Sequence, residues 1–257
     1  MVATHDLRLL AVPEFPLVRA GDDLAALIGD ALVRAGMEPA TGDVIVVAQK
    51  IVSKAEGREV DLATITASPR AAELAAEVGK DPRFVEAVLA ESVRVVRSRP
   101  NLLIVEHRLG FVMANAGIDQ SNVAPQDGVQ RILLLPCDPD ASAASLRERL
   151  SLRFGCDLAV VITDSFGRAW RRGTVGIAIG AAGLASMVDL RGQPDLFGRI
   201  LEVSIIGLAD EVAAAASLLM GQASEGQPVV LLRGLAHTAP ELPASSLIRP
   251  AAEDLFR

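Results

Sequence analysis

The 257-residue chain has two cysteines, one tryptophan and no tyrosine, and its acidic residues outnumber its basic ones to a formal net charge of −7. Each shortage excludes something. Two cysteines, Cys137 and Cys156, are too few for the four-ligand set of a structural zinc site. They read as buried or half-buried thiols, and so sparing a use of cysteine fits a reducing cytoplasm. With so few aromatic rings, Ala, Val, Leu and Ile must fill the core, and an apolar content of 51% is enough for that. The negative balance lacks the basic footprint of a general nucleic-acid binder, although a local pocket for phosphates stays open. The N-terminus has neither the basic start nor the apolar run of a secretory signal. The longest uncharged stretch, residues 173–188, is broken by glycines and falls short of the roughly 20 apolar residues of a membrane helix. A cytoplasmic protein without a membrane or nucleic-acid partner is expected.

Common catalytic motifs are missing as well. No G-x-x-x-x-G-K-[ST] occurs, and Gly173, Gly176, Gly180 and Gly183 do not follow the G-x-G-x-x-G spacing. There is no H-E-x-x-H, and His5, His107 and His237 lie far apart. No G-x-S-x-G nucleophile elbow is present. No repeat of fixed period and no low-complexity linker interrupts the chain.

What is present is a mixed series of short elements. Residues 22–35 carry Leu24, Leu27, Ile28 and Leu32 at helical spacing, with Gly36 as a stop. Residues 44–48 read as a buried strand. Ser68-Pro69 and Asp81-Pro82 each place a capping side chain before a proline at the first helical position, with Gly79 between the two helices. Residues 102–105 and 110–113 read as strands around the turn 106–109, and residues 132–135 as another. A helix is expected over 141–154, ended by Gly155, then strands over 158–163, 201–206 and 229–232. A further helix begins with Asp210 and Glu211, whose charge suits the positive helix end, and runs to Met220 before Gly221. Strands outnumber helices without alternating strictly with them. The pattern is α+β, mixed sheets with flanking helices, rather than a doubly wound sheet. The length allows one large domain or two small ones.

Five segments border the apolar runs and carry candidate chemistry. Residues 48–54 set Gln49, Lys50, Ser53 and Lys54 at a strand end, where they face phosphate or form a solvated turn. Residues 115–122 combine small residues with Asp119, a hard oxygen ligand for Mg²⁺ or Mn²⁺, and Asn122, which suits a base or ribose; a tight turn is the plainer reading. Residues 163–173 put Asp164 directly after an apolar strand, where a carboxylate commonly binds metal, with Ser165 adding a hydroxyl oxygen. Arg168, Arg171 and Arg172 follow and can fork onto phosphate or carboxylate oxygens, while Trp170 stacks on a ring or packs at an edge. Residues 220–227 offer Gln222 and Glu225 between a helix and a strand, as ligands or as an ordinary loop. Residues 15–18 are apolar and wall a pocket or join the core.

Taken in order, FPLVRAGDDL, GDVIVVAQKIVSKAEGR, ANAGIDQSNV, LLLPCDPDASAASLR, VVITDSFGRAWRRG, MGQASEGQPVVLLRG and RPAAEDLF resemble the coenzyme F420-0:L-glutamate ligase family along nearly the whole chain. The resemblance implies a fold unlike P-loop proteins, with two intertwined subdomains and a homodimer. It implies a single ligase unit over residues 1–257, without the C-terminal flavin-binding domain of some bacterial relatives. It implies GTP as co-substrate, two Mg²⁺ or Mn²⁺ ions, K⁺ as a further cation, and transfer of L-glutamate to the deazaflavin coenzyme F420-0. The metal ligands fall on Asp119 and Asp164, with Ser165, where the family often has Thr, and Gln222 for the second ion. Nucleotide contacts fall on Phe15, Pro16, Leu17, Val18, Gln49, Lys54, Asn122 and the run Met220, Gly221, Gln222, Ala223, Ser224, Glu225, Gly226, Gln227. Catalysis would run through the metal-binding Asp119 and Asp164, with Arg168 and Arg171 neutralising phosphate charge. Two alternatives stay open: an amino-acid ligase acting on another carboxylate cofactor, and a nucleotide-binding module without catalysis.

Overall fold

A computed structural model describes residues 6–121, 129–236 and 239–255. Their order is β1 (Arg8–Ala11), α1 (Leu24–Arg34), β2 (Val44–Ala48), α2 (Gln49–Ala55), β3 (Glu59–Asp61), α3 (Pro69–Val78), α4 (Pro82–Ala90), β4 (Ser92–Arg99), β5 (Leu102–His107) and β6 (Val112–Ala114). There follow β7 (Arg131–Leu133), α5 (Pro139–Phe154), β8 (Ala159–Gly167), β9 (Thr174–Ala182), β10 (Val188–Asp189), β11 (Ile205–Ile206), α6 (Leu208–Met220) and β12 (Val229–Arg233). The architecture is α+β, with several sheets and flanking helices.

The main sheet runs β1-β12-β2-β8-β9, and β2 and β8 at its centre are parallel while every other pair is antiparallel. Strands covered on both faces read as continuous apolar runs, and β2 and β8 do so. On one face Ile45, Val47, Val160 and Ile162 pack with Leu24, Ile28 and Leu32 of α1 and Leu146 and Leu150 of α5. On the other, Val44, Val46 and Val161 pack with Ala209, Val212, Ala213 and Ala216 of α6. A third cluster belongs to residues 60–134. Leu74, Val78, Val85 and Val88 of α3 and α4 pack on Leu103 and Val105 of β5, and β4-β5-β6 and β3-β7 complete this smaller lobe. Glu91 ties it to the rest. Its carboxylate meets Arg58, Arg108 and buried His107 and is held down to about 2, chiefly by His107 and then by the arginines.

The expected caps form: Ser68 Oγ accepts from Ala71 N, and an Asp81 carboxylate oxygen accepts from Arg83 N. Several expectations are corrected. Residues 49–55 continue β2 as a helix rather than a turn, because Ile51 and Val52 find burial in the main core. Of the strand expected over 201–206, only Ile205–Ile206 forms regular strand, and Val203 before it lies exposed. Strand β5 runs on to His107, β6 shifts to Val112–Ala114, and β7 occupies Arg131–Leu133. Cys137 is exposed rather than buried.

The glycines that fit no phosphate motif have a packing role. A β-bulge at Ile179 of β9, opposite the Ile162–Thr163 step of β8, reverses the faces of β9. Gly176 therefore faces α6, where an added Cβ would lie 2.6 Å from the Ala213 carbonyl oxygen. Gly180 faces α5, where a Cβ would lie 2.2 Å from the Pro139 carbonyl oxygen. Two helices reach one strand from opposite sides because neither glycine has a side chain. Gly180→Ala is expected to cost about 1–3 kcal/mol through forced backbone movement. Urea unfolding measures it, with Gly167→Ala, whose Cβ meets nothing within 4 Å, as the neutral comparison.

Candidate active site

Parallel pairing brings the carboxyl ends of β2 and β8 together, with Ala48 opposite Thr163. The next residues are Gln49 and Asp164. Gln49 is 1% exposed although it opens a helix, and both ends of its amide are hydrogen-bonded. Its Nε2 donates to Asp119 Oδ2 at 2.7 Å, and its Oε1 accepts from Ser53 Oγ at 2.9 Å. Asp119 arrives from the smaller lobe. Three consecutive left-handed residues, Asn115 (φ 51), Ala116 (φ 54) and Gly117 (φ 66), turn the chain just before it. That conformation costs roughly 1–2 kcal/mol for an L residue such as Ala116. Backbone bonds between Asp119 and Leu133 of β7, 3.0 and 2.9 Å long, then fix its position.

Lys50 Nζ lies 3.1 Å from Asp119 Oδ1 and donates to Ser121 Oγ at 2.9 Å. Burial raises the Asp119 pKa against the opposing pull of Lys50 and Gln49. Asp164 lies within β8 rather than after it. Its carboxyl is pushed up to about 7, first by burial and then by the Asp119 charge. Thr163 Oγ1, buried beside it, has no hydrogen-bond partner. Ser165 Oγ donates to Gln222 Oε1 at 2.7 Å, joining the end of β8 to the loop after α6.

These groups line one cleft of about 1140 Å³. Its walls include Phe15 to Val18, Gln49, Lys54, Asp119, Asp164, Ser165 and Met220 to Gln227. The sequence candidates scattered over the chain are thus brought together, apart from two groups. Asn122 lies outside the described residues. Arg168, Arg171 and Arg172 are exposed in the turn between β8 and β9 and do not line the cleft, and Trp170 beside them is 90% exposed. β8 runs through Gly167, which still lines the cleft, and the arginines follow it in the turn. Sequence reasoning missed Glu59 and Arg131, which line the smaller-lobe wall. Their only signal was charge at the two ends of short strands.

Among the described residues no group of three or more His, Cys, Asp or Glu side chains could hold a metal. A cation here would rest on two carboxylates and on hydroxyl and amide oxygens, the donor set of Mg²⁺ or Mn²⁺ rather than of zinc.

Fold and cleft together define an α+β protein with a large cleft lined by carboxylates, lysines and amide groups, of a kind that takes small molecules. Comparison with known proteins says which kind. The family model described as F420-0:Gamma-glutamyl ligase matches residues 13–234. Coenzyme F420:L-glutamate ligase of Methanothermobacter thermautotrophicus is 47% identical over 253 residues, covering 98% of this chain and 99% of that protein. The ligase of the same name from Methanopyrus kandleri is 46% identical over 258 residues, 98% of each chain. That of Methanocaldococcus jannaschii is 39% identical over 244 residues, 95% and 94%. The chain belongs to the F420-0:gamma-glutamyl ligase family.

Because the Asp164 pKa is raised on folding, ionising this side chain destabilises the native state. The cost is absent below the ordinary value of 3.8 and grows as pH rises toward about 7. In chelator-treated protein at pH 8, Asp164→Asn is expected to be the more stable form by on the order of 2 kcal/mol. The gain should vanish as pH falls toward 4 in urea titrations of both proteins.

Proposed function

We propose that the protein is a GTP- and divalent-metal-dependent ligase that joins L-glutamate to the carboxylate of coenzyme F420-0, and extends the product with further γ-linked glutamates. The observation that carries this reading is the meeting of Asp119 and Asp164 in one cleft with the residue 15–18 and 220–227 walls. Two carboxylates near enough for one to raise the other's pKa, beside an unpartnered Thr163 hydroxyl, fit a pair of hard cations. Asp119 and Asp164 would hold the first ion and Ser165 and Gln222 the second; K⁺ rests on family resemblance alone. Bound divalent ions would offset charge on the crowded phosphate oxygens.

The chain's own residues supply the rest. A carboxylate is a poor electrophile, so the acceptor carboxylate attacks the γ-phosphorus of GTP, expelling GDP and giving an acyl phosphate. The glutamate amine then attacks the acyl carbon, expelling inorganic phosphate and losing a proton as the amide forms. Phe15 to Val18 and the backbone of Met220 to Gln227 shape the nucleotide side of the cleft. Lys50 and Lys54 place positive charge beside the phosphates. Gln49 holds Asp119 in one orientation by fixing one of its oxygens. A homodimer belongs to the same reading: the arm over residues 188–206 exposes Leu196, Phe197 and Val203 almost completely, and such a patch asks for cover.

The test is ligation with purified protein, GTP, Mg²⁺ or Mn²⁺, L-glutamate and F420-0, read by mass spectrometry. A product heavier by one or more glutamyl units, absent without GTP or metal, supports the reading; no mass gain with any combination removes it. Asp119→Asn is expected to lower the rate by at least about 10²-fold with circular dichroism unchanged.

A further inference from the structure

The smaller-lobe wall carries an ion pair that the reaction as described does not use. Arg131 of β7 and Glu59 of β3 both line the cleft. Arg131 Nη1 stands 3.5 Å from Glu59 Oε2, and their side chains are 32% and 28% exposed. The antiparallel register sets Glu59 opposite Leu133 and Asp61 opposite Arg131, so the two are diagonal neighbours on one face of the ribbon. Leu133 also bridges to Asp119. Asp119 therefore leaves the same face, one strand away from the pair. The residue 15–18 and 220–227 walls belong to the rest of the molecule, so the pair flanks the paired carboxylates on its own side.

At 3.5 Å the contact is at the outer limit of a hydrogen bond, and it engages one of five guanidinium N–H donors. Half-buried opposite charges held this loosely can re-pair with a ligand. What ligand can do so follows from charge balance. A phosphate or simple carboxylate bound to Arg131 would be repelled by Glu59 and would strand it unpaired, which is costly away from water. A ligand with an ammonium and a carboxylate on one carbon leaves neither stranded: its carboxylate takes the arginine fork while its ammonium donates to Glu59. We infer that Glu59 and Arg131 form the subsite that receives the amino-acid substrate of the ligase, presenting its amine toward the acceptor activated near Asp119 and Asp164. The inference rests on the ligase reading.

The test is steady-state ligation with GTP and F420-0 saturating and L-glutamate varied, for wild type, Arg131→Gln, Arg131→Lys and Glu59→Gln, with thermal melting of each. Inhibition by 2-oxoglutarate, which keeps both carboxylates but lacks the ammonium, is measured alongside. Loss of one charge-assisted contact is expected to raise KM for L-glutamate about 10- to 100-fold in both glutamine variants, with KM for GTP and F420-0 within about twofold. Arg131→Lys should fall between wild type and Arg131→Gln. Glu59→Gln should narrow the preference for L-glutamate over 2-oxoglutarate by about tenfold or more. An unchanged KM for L-glutamate overturns the inference. So does a rise confined to GTP or F420-0, or a loss that follows the melting temperature alone. If wild type forms no product, the ligase reading fails by itself. Calorimetric titration of L-glutamate into wild type and Arg131→Gln then decides the subsite: heat of binding in wild type only supports it, and equal or absent heats reject it.

Discussion

The cleft depends on the parallel pairing of β2 with β8. Two parallel neighbours end on the same side of a sheet, and both of these continue into polar sequence at that end, Gln49 from one and Asp164 from the other. Their antiparallel outer neighbours, β12 and β9, run the other way, so the crevice opens at the carboxyl ends of the central parallel pair. Ligand sites of open α/β sheets likewise lie outside the carboxyl ends of parallel strands, although this sheet is mixed. The smaller lobe then needs only to deliver one side chain, Asp119, to complete the cluster.

That delivery is held in place against its electrostatics. Burial first and the neighbouring Asp119 charge second disfavour ionisation of Asp164, whose pKa is raised to about 7. Gln49 and Lys50 offset part of that cost for both carboxylates. The left-handed turn before Asp119 adds backbone strain in the same few residues. Strain and like charge gathered in one place, inside an otherwise well-packed molecule, are features of a site maintained for function rather than for stability. The Glu91 cluster with Arg58, Arg108 and His107 has the opposite character. Its charges are paired and stabilising, and it fastens the lobe that carries Asp119.

Much of this was legible in the linear text. The buried strands β2, β8 and β12 announced themselves as apolar runs, and the capped prolines of α3 and α4 fell where local chemistry places them. Asp119, Asp164 and Gln222 could be singled out because each is a polar side chain beside small or apolar residues. Helix α2 escaped notice because its seven residues are too few to show a helical period. The exposed position of the arginines at 168, 171 and 172 was not legible for a related reason: charge density in sequence says nothing about where a strand ends. The glycines of β9 gave no readable signal, since their role is set by α5 and α6, which are far away in the chain.

The sequence by itself determined the class of fold, the composition of the core and the residue types able to bind hard cations and phosphates. These follow from local periodicity, capping and side-chain chemistry. Only the tertiary structure decided which of the polar segments meet. It joined Asp119 to Gln49, Ser165 to Gln222 and Arg131 to Glu59, and it set the arginine turn aside. The reason is physical: register and lobe packing act between residues distant along the chain, and no short-range pattern in a single sequence records them.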